Sequence, residues 1–365
     1  MATEALHRAP PTEPTGAAAA LTWARRNLFG TPFDAVLTLA MLALFAGVLP
    51  PLFRWAVDHA TLFADSRAQC DPDGACWAFI RARFASFVYG HYPVDERWRV
   101  DLVFVLLVLF AVPAMREGGR RRGMWAALLV TLFPVIAGVV LVGGVFGLRH
   151  VETSHWGGLM LNFVLAFVAV AGSLPFGVVL ALGRRSALPL VRALSVGFIE
   201  LWRGVPLLTV LFMGMVMLPL FLPGGVTVDS LVRAMVALTL FTSAYMAEVV
   251  RGGLQGVPMG QSEAAYSMGM GYWRVQALVV MPQAIRLVIP AIVNTVIDLF
   301  KDTTLIAIFG LFELLGTINQ SLKDPSWLGL PREGYAFAAL VFFVCCFGMS
   351  LYSRGLERQL AAGRM

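Results

Sequence analysis

Charge is what this chain lacks most. Of its 365 residues only 14% are Asp, Glu, Lys or Arg, against about 25% in a soluble domain, and Lys301 and Lys323 are the only lysines. That balance excludes an ordinary soluble enzyme. Histidine is equally sparse: His7, His59, His91, His150 and His155 fall in the N-terminal tail or in loops, and no His-Glu-x-x-His occurs. Neither a metal pair nor a convergent base for membrane-embedded hydrolysis is offered, and no metal site is expected. A Gly-x-x-x-x-Gly-Lys-Ser/Thr stretch is missing too, so the chain does not cradle ATP phosphates by that route. No Lys/Arg run is interleaved with aromatics, which argues against a nucleic-acid groove. Of four cysteines, Cys345 and Cys346 sit inside an apolar run and read as small buried apolar residues.

What is abundant is apolar length: 58% of residues are hydrophobic and the mean hydropathy is +0.76. Eight apolar runs stand at about 33–53, 100–115, 125–148, 157–182, 205–222, 230–250, 286–308 and 335–353, and about 20 apolar residues suffice for a helix to cross a bilayer. Barrel strands would alternate apolar and polar, which these runs do not. The expected fold is an all-α integral membrane protein with about eight transmembrane helices. Residues 1–30, with Pro10, Pro11, Pro14 and the Ala17–Ala20 run, read as a flexible cytoplasmic tail with no cleavable signal.

Arginine sets the expected orientation, because Lys and Arg in short loops resist translocation. Arg25, Arg26, Arg116, Arg120–Arg122, Arg184, Arg185, Arg192, Arg251, Arg274, Arg354, Arg358 and Arg364 all fall on one side of an eight-span path, giving cytoplasmic termini. Residues 54–99 are assigned outside despite Arg54, Arg67, Arg81, Arg83, Arg97 and Arg99, which six acids from Asp58 to Glu96 roughly offset. This loop holds Cys70 and Cys76 around a turn-forming Asp71-Pro72-Asp73-Gly74. A disulfide and two free thiols are about equally compatible with that spacing.

Residues 251–283 are too structured for a linker. Pro258 suits the first turn of a short helix, Gly269 and Gly271 supply the turn that ends it, and Trp273 to Met281 form a second helix before Pro282. Ala264 and Ala265 leave a shallow face open to a partner, with Glu263 beside them for an arginine across the interface.

Glu263-Ala264-Ala265, Gly269 and the downstream Met281-Pro282 resemble the EAA loop of ABC importer permeases, a cytoplasmic coupling helix that docks on an ATPase subunit. The flanking stretches Phe198–Leu208, Ala244–Gly253 and Asn294–Leu305 resemble the polar amino acid (His/Glu/Gln/Arg/opine) branch, over about residues 157–353. Three earlier crossings and the Gly74-Ala75-Cys76-Trp77 loop are similar to the M-type subunit of the broad-specificity L-amino acid importers of Gram-negative bacteria. The resemblance implies a five-helix type I importer permease core at 151–353, an N-terminal three-helix extension at 31–150 and a short cytoplasmic tail at 354–365. It further implies a second permease subunit, two ATPase subunits that bind ATP and Mg, a periplasmic amino acid-binding protein and residence in the bacterial inner membrane.

Ionisable groups inside a membrane are costly and commonly face a pathway. Asp298 and Asp302 are one turn apart with Lys301 beside their face, so an amino acid's ammonium and carboxylate both find partners. By the resemblance, Thr295 and Asp302 occupy pocket positions. Asp298 departs from the family pattern and reads as a specificity feature or, better, as a buried partner of Lys301. Ser243 and Tyr245 are weaker candidates for the opposite wall, since a helical serine usually bonds its own backbone. Glu200 with Arg203, and Glu248 with Arg251, are each three apart and read as local ion pairs of a gate or helix end. An ABC permease for another solute, or a membrane-embedded enzyme, is the rival reading.

Overall fold

A computed structural model describes residues 17–116 and 121–362. Residues 1–16, with Pro10, Pro11, Pro14 and His7, and the marker arginines Arg120 and Arg364 lie outside the described residues. Among the described residues there is no β-strand; fifteen α-helices are joined by short 3-10 and π turns. The chain divides into two compact units, residues 1–78 and 79–365.

In the first unit, α1 (Ala17–Leu28) occupies part of the expected flexible tail, which is thus helical there: alanine is the strongest helix former, and residues 17–20 are all alanine. Then α2 (Pro32–Phe53) starts at a capping box, in which the Thr31 side chain accepts the Asp34 N–H and Asp34 accepts the Thr31 N–H. Pro32 fits the first turn, where its missing N–H costs nothing. Beyond a π turn at Arg54–Asp58, the strap 59–78 folds on itself: Thr61 N–H bonds Ala75 O, Ala75 N–H bonds Trp55 O, and the Trp77 indole donates to Ala56 O at 2.9 Å. The sulfurs of Cys70 and Cys76 are brought together, with Cα atoms 5.6 Å apart.

Helix α3 (Trp77–Tyr89) lies within the charged stretch expected to be loop. In the second unit follow α4 (Arg97–Met115), α5 (Arg122–Val142) and α6 (Gly158–Arg184). The third apolar run ends six residues earlier than its hydrophobicity suggests, at Val142, because Gly143, Gly144 and Gly147 take positive φ. Next come α7 (Pro189–Gly204), α8 (Leu207–Phe212) and α9 (Leu218–Phe221), then α10 (Ser230–Gly256). The fifth expected crossing is in fact half of a broken pair: α7 meets the segment 207–221 at 104°. Pro206 forces Val205 into an extended conformation and so breaks the helix.

The chain closes with α11 (Met259–Ser267), α12 (Tyr272–Val275), α13 (Met281–Asp302), α14 (Leu314–Ser321) and α15 (Pro331–Ala362). Among the described residues seven helical spans are long and apolar enough to cross a membrane, or eight if the bent pair is one. Pro282 does not end a helix, contrary to expectation: α12 runs through a π turn at Gln276–Val280 straight into α13, and Pro282 sits in that helix's first turn.

Small residues let the central helices touch. A Cβ on Gly177 of α6 would lie 2.7 Å from Met246 of α10, and one on Gly253 of α10 would lie 2.5 Å from the Ala284 carbonyl of α13. Helices in lipid associate through such close packing. Cys345 and Cys346, expected to be buried, are only half-buried on α15.

Candidate functional site

The stretch from α10 to α13 builds an exposed hairpin. Pro258 caps α11 and accepts the Gln261 N–H. At the far end the Gly269 N–H returns to Tyr266 O and the Met270 N–H to Ala265 O, at 2.9 and 3.2 Å. That closure requires φ of +79° at Gly269, a left-handed conformation glycine adopts without strain. Gly271 is extended and starts α12. Glu263 and Ala264 are exposed, but Ala265 is buried and packs with Ala181, Leu254, Val275, Val280 and Ala284. The expectation that both alanines face a partner is corrected accordingly: Ala265 anchors the helix to the bundle and Ala264 and Glu263 face away. Met259, Met268 and Trp273 stand largely exposed around them, an apolar surface that sequence reading passed over.

A second feature lies between α10 and α13, a cavity of about 220 Å³ lined by Phe241, Thr242, Tyr245, Thr295, Asp298, Leu299 and Asp302. Four expected pathway residues, Tyr245, Thr295, Asp298 and Asp302, therefore share one wall system. Ser243 does not join them: it is fully buried and donates to Thr239 O at 2.6 Å, the backbone bond a helical serine often makes. Lys301 lies 2.9 Å from Asp298, so the pair forms, but both groups are exposed and not buried as expected.

Beside this cavity the ionic groups of three helices converge. Arg184 at the end of α6 holds Glu200 of α7 and Glu248 of α10, at 3.0 and 2.8 Å. Glu248 also takes Arg251, at 2.7 Å, and approaches Arg203 at 3.7 Å. The local Glu248–Arg251 pair thus exists. Glu200 and Arg203, in contrast, turn away from one another to partners on neighbouring helices. The Arg203 guanidinium also lies 5.8 Å from the Tyr245 ring, which joins the cluster to the cavity wall.

A fourth feature had no signal in the sequence. Asn162 of α6 and Glu313, the cap of α14, are both fully buried. The Asn162 amide donates to Glu313 and to Thr303 at 3.0 and 2.8 Å, and its oxygen accepts the Leu314 N–H. Glu313 also accepts the N–H groups of Leu315 and Gly316. Burial raises the Glu313 carboxyl above its ordinary value, against the lowering effect of those donors. Among the described residues no three His, Cys, Asp or Glu side chains are grouped to hold a metal.

This architecture, a spanning bundle with an exposed helical hairpin, has relatives. Residues 173–361 match the binding-protein-dependent transport system inner membrane component family. The inner membrane amino-acid ABC transporter permease protein YhdY of Escherichia coli strain K12 is 50% identical over 345 residues, covering 94% of each chain. The glutamate/glutamine/aspartate/asparagine transport system permease protein BztC of Rhodobacter capsulatus is 36% identical, covering 96% of each. A crystal structure of an amino acid ABC transporter with histidines overlays with a TM-score of 0.50 at 30% identity, covering 55% of this chain and 92% of that one.

The chain belongs to the family of binding-protein-dependent transport system inner membrane components. It is a multi-span permease subunit of an ABC importer, a transport protein whose ATP hydrolysis belongs to separate subunits.

Proposed function

We propose that this chain is the M-type permease of an importer that moves L-amino acids from periplasm to cytoplasm by alternating access. The observation that carries the reading is the α11 hairpin, which presents Glu263 and Ala264 outward while Ala265 and Gly269 fix its attitude. A rigid projection rooted in α10 and α13 is suited to receive motion from an ATPase that binds ATP and Mg, and to pass it to helices that border the cavity. The arginine pattern supports cytoplasmic termini and a cytoplasmic hairpin, in the bacterial inner membrane. A related second permease, two ATPase subunits and a periplasmic binding protein complete the assembly.

For the cargo, the cavity at Tyr245, Thr295, Asp298 and Asp302 offers carboxylates to an ammonium group. Asp298 is already paired with Lys301, which leaves Asp302 as the better acceptor. The relatives named for amino acid transport support that cargo class. The Arg184, Glu200, Arg203, Glu248 and Arg251 cluster is then the tie between cavity and cytoplasmic end, and a Cys70–Cys76 bridge fits an oxidising periplasm.

The test is reconstitution of the co-purified assembly in liposomes with its binding protein. L-amino acids should stimulate ATP hydrolysis and accumulate inside, while sugars and peptides should not. Stimulation by another solute class alone would reject the reading.

A further inference from the structure

A separate cavity of about 250 Å³ lies at the root of the hairpin. The ends of α6 and α10, one face of α11, the start of α12 and the π turn at Gln276–Val280 wall it. The spans α6 and α10 both finish beside it, which sets it at the depth of the lipid headgroups. Polar and apolar surface share the wall about equally, with Leu182 and Leu254 on the apolar side.

Unlike the α10–α13 cavity, this one is lined by no carboxylate, and its charged side chain is Arg185. Arg185 is exposed and donates one long bond, to Leu254 O at 3.4 Å. A guanidinium carries five N–H donors. Among the described residues no acid pairs with this arginine, whereas its neighbour Arg184 holds two. Beside it in the wall are Tyr266, Tyr272 and Gln276, whose hydroxyls and amide bond no other described residue. Ser262 is already spent, since its hydroxyl donates to Met259 O at 2.7 Å. Ser262 and Tyr266 lie four apart on α11 and so share the face that lines the cavity, while Glu263 is outside the wall. Gln276 opens the π turn between α12 and α13, and such single turns concentrate at functional sites.

We infer that this cavity binds a phosphate group, with Arg185 as the charged partner and Tyr266, Tyr272 and Gln276 as neutral donors. A guanidinium meets phosphate oxygens through two parallel bonds, and phosphate is the anion that a bilayer holds at this depth. The bound group joins the ends of α6 and α10 to both arms of the hairpin.

Two arms of one experiment separate a headgroup phosphate from a free one, each run on the full chain and on the co-purified assembly. In the first, native mass spectrometry from phosphatidylglycerol nanodiscs counts retained lipid, and one molecule per chain marks the headgroup. In the second, delipidated protein is titrated with inorganic phosphate against chloride at equal ionic strength, and a rise in melting temperature marks the free anion. Arg185→Gln should weaken the binding seen in either arm at least about tenfold. Tyr266→Phe with Tyr272→Phe should weaken it severalfold, and decides the matter if Arg185→Gln does not fold. Arg192→Gln, which alters an exposed arginine of α7 outside the wall, should bind as wild type does. No binding in either arm, equal binding by wild type and the cavity variants, or an equal loss in Arg192→Gln would each overturn the inference. Binding by the chain alone that disappears in the assembly would overturn it too, since an ATPase side chain would then be the occupant.

Discussion

Arg184 of α6 bonds Glu200 of α7 and Glu248 of α10 at once, at 3.0 and 2.8 Å. One guanidinium thus ties three helices, two of which lie next to the α10–α13 cavity through Arg203 and Tyr245. Glu248 keeps Arg251 at 2.7 Å whatever happens to Arg184, so the tie can be removed without stranding a buried charge.

Arg184→Gln should therefore lower stability by about 1–2 kcal/mol, the scale of a charge-assisted bond discounted for the solvent exposure of Glu200. Thermal unfolding in detergent measures it. Glu200→Gln, at the more exposed end, should cost less. Equal costs for the two would show that the Glu200 contact and not the Glu248 contact dominates.

The hairpin gives a paired test, because its two key positions face opposite ways. Glu263→Arg should reduce ATPase co-purification and uptake at least about tenfold, equivalent to ~1.4 kcal/mol, while the permease melts as wild type does. Ala265→Leu forces bulk into a packed site and should lower the melting temperature as well, with a cost of roughly 1–3 kcal/mol. Undiminished uptake by Glu263→Arg in proteoliposomes would end the coupling role of α11.

Asp302→Asn removes the acceptor offered to a substrate ammonium. A charged hydrogen bond is worth about 1.5–3 kcal/mol, so the apparent affinity for amino acid should fall roughly ten- to a hundredfold. Subunit stoichiometry after purification should stay the same. Loss of assembly with no change in the affinity of what remains would make Asp302 a structural group.

How much of this was legible follows from the range of each signal. Apolar length is local, so the long unbroken spans could be found, whereas the pair split at Pro206 showed only its second half; Pro258 and Gly269 bracket α11 because turn chemistry is local too. Helix α3 was hidden: its arginines make the stretch look like a solvated loop, yet Arg83 pairs with Asp324, and buried Arg99, at the start of α4, pairs with Glu96. The Asn162–Glu313 contact spans 151 positions, and nothing in either neighbourhood announces it. Ala265 failed for a related reason, since a small residue serves a partner face and a tight internal contact equally well, and only the positions of Val275 and Ala284 decide between them.

Glu313 yields a pH signature with a definite sign. Burial raises its carboxyl above the ordinary 4.5 in the fold, so the folded state holds a proton that the unfolded state has released. Its contribution to stability is complete below 4.5 and is lost as pH rises through the elevated value. Glu313→Gln cannot titrate. The difference in melting temperature between wild type and Glu313→Gln should shift against the wild type as pH rises across that window and be flat above it. A difference that moves the other way would mean that the three donors outweigh burial.

The Cys70–Cys76 contact closes a short loop. Joining them removes conformational freedom from the unfolded chain, worth about 2 kcal/mol for a loop of this length. Peptides containing both residues should take up alkylating reagent only after reduction, with the matching mass shift, and Cys70→Ser should destabilise the strap 59–78. Protection of its amides from hydrogen exchange should fall, most clearly at Thr61 and Ala75, whose N–H groups bond Ala75 O and Trp55 O. Alkylation of both thiols in the untreated protein would show that hydrogen bonds alone hold the strap, and the serine variant should then exchange as wild type does.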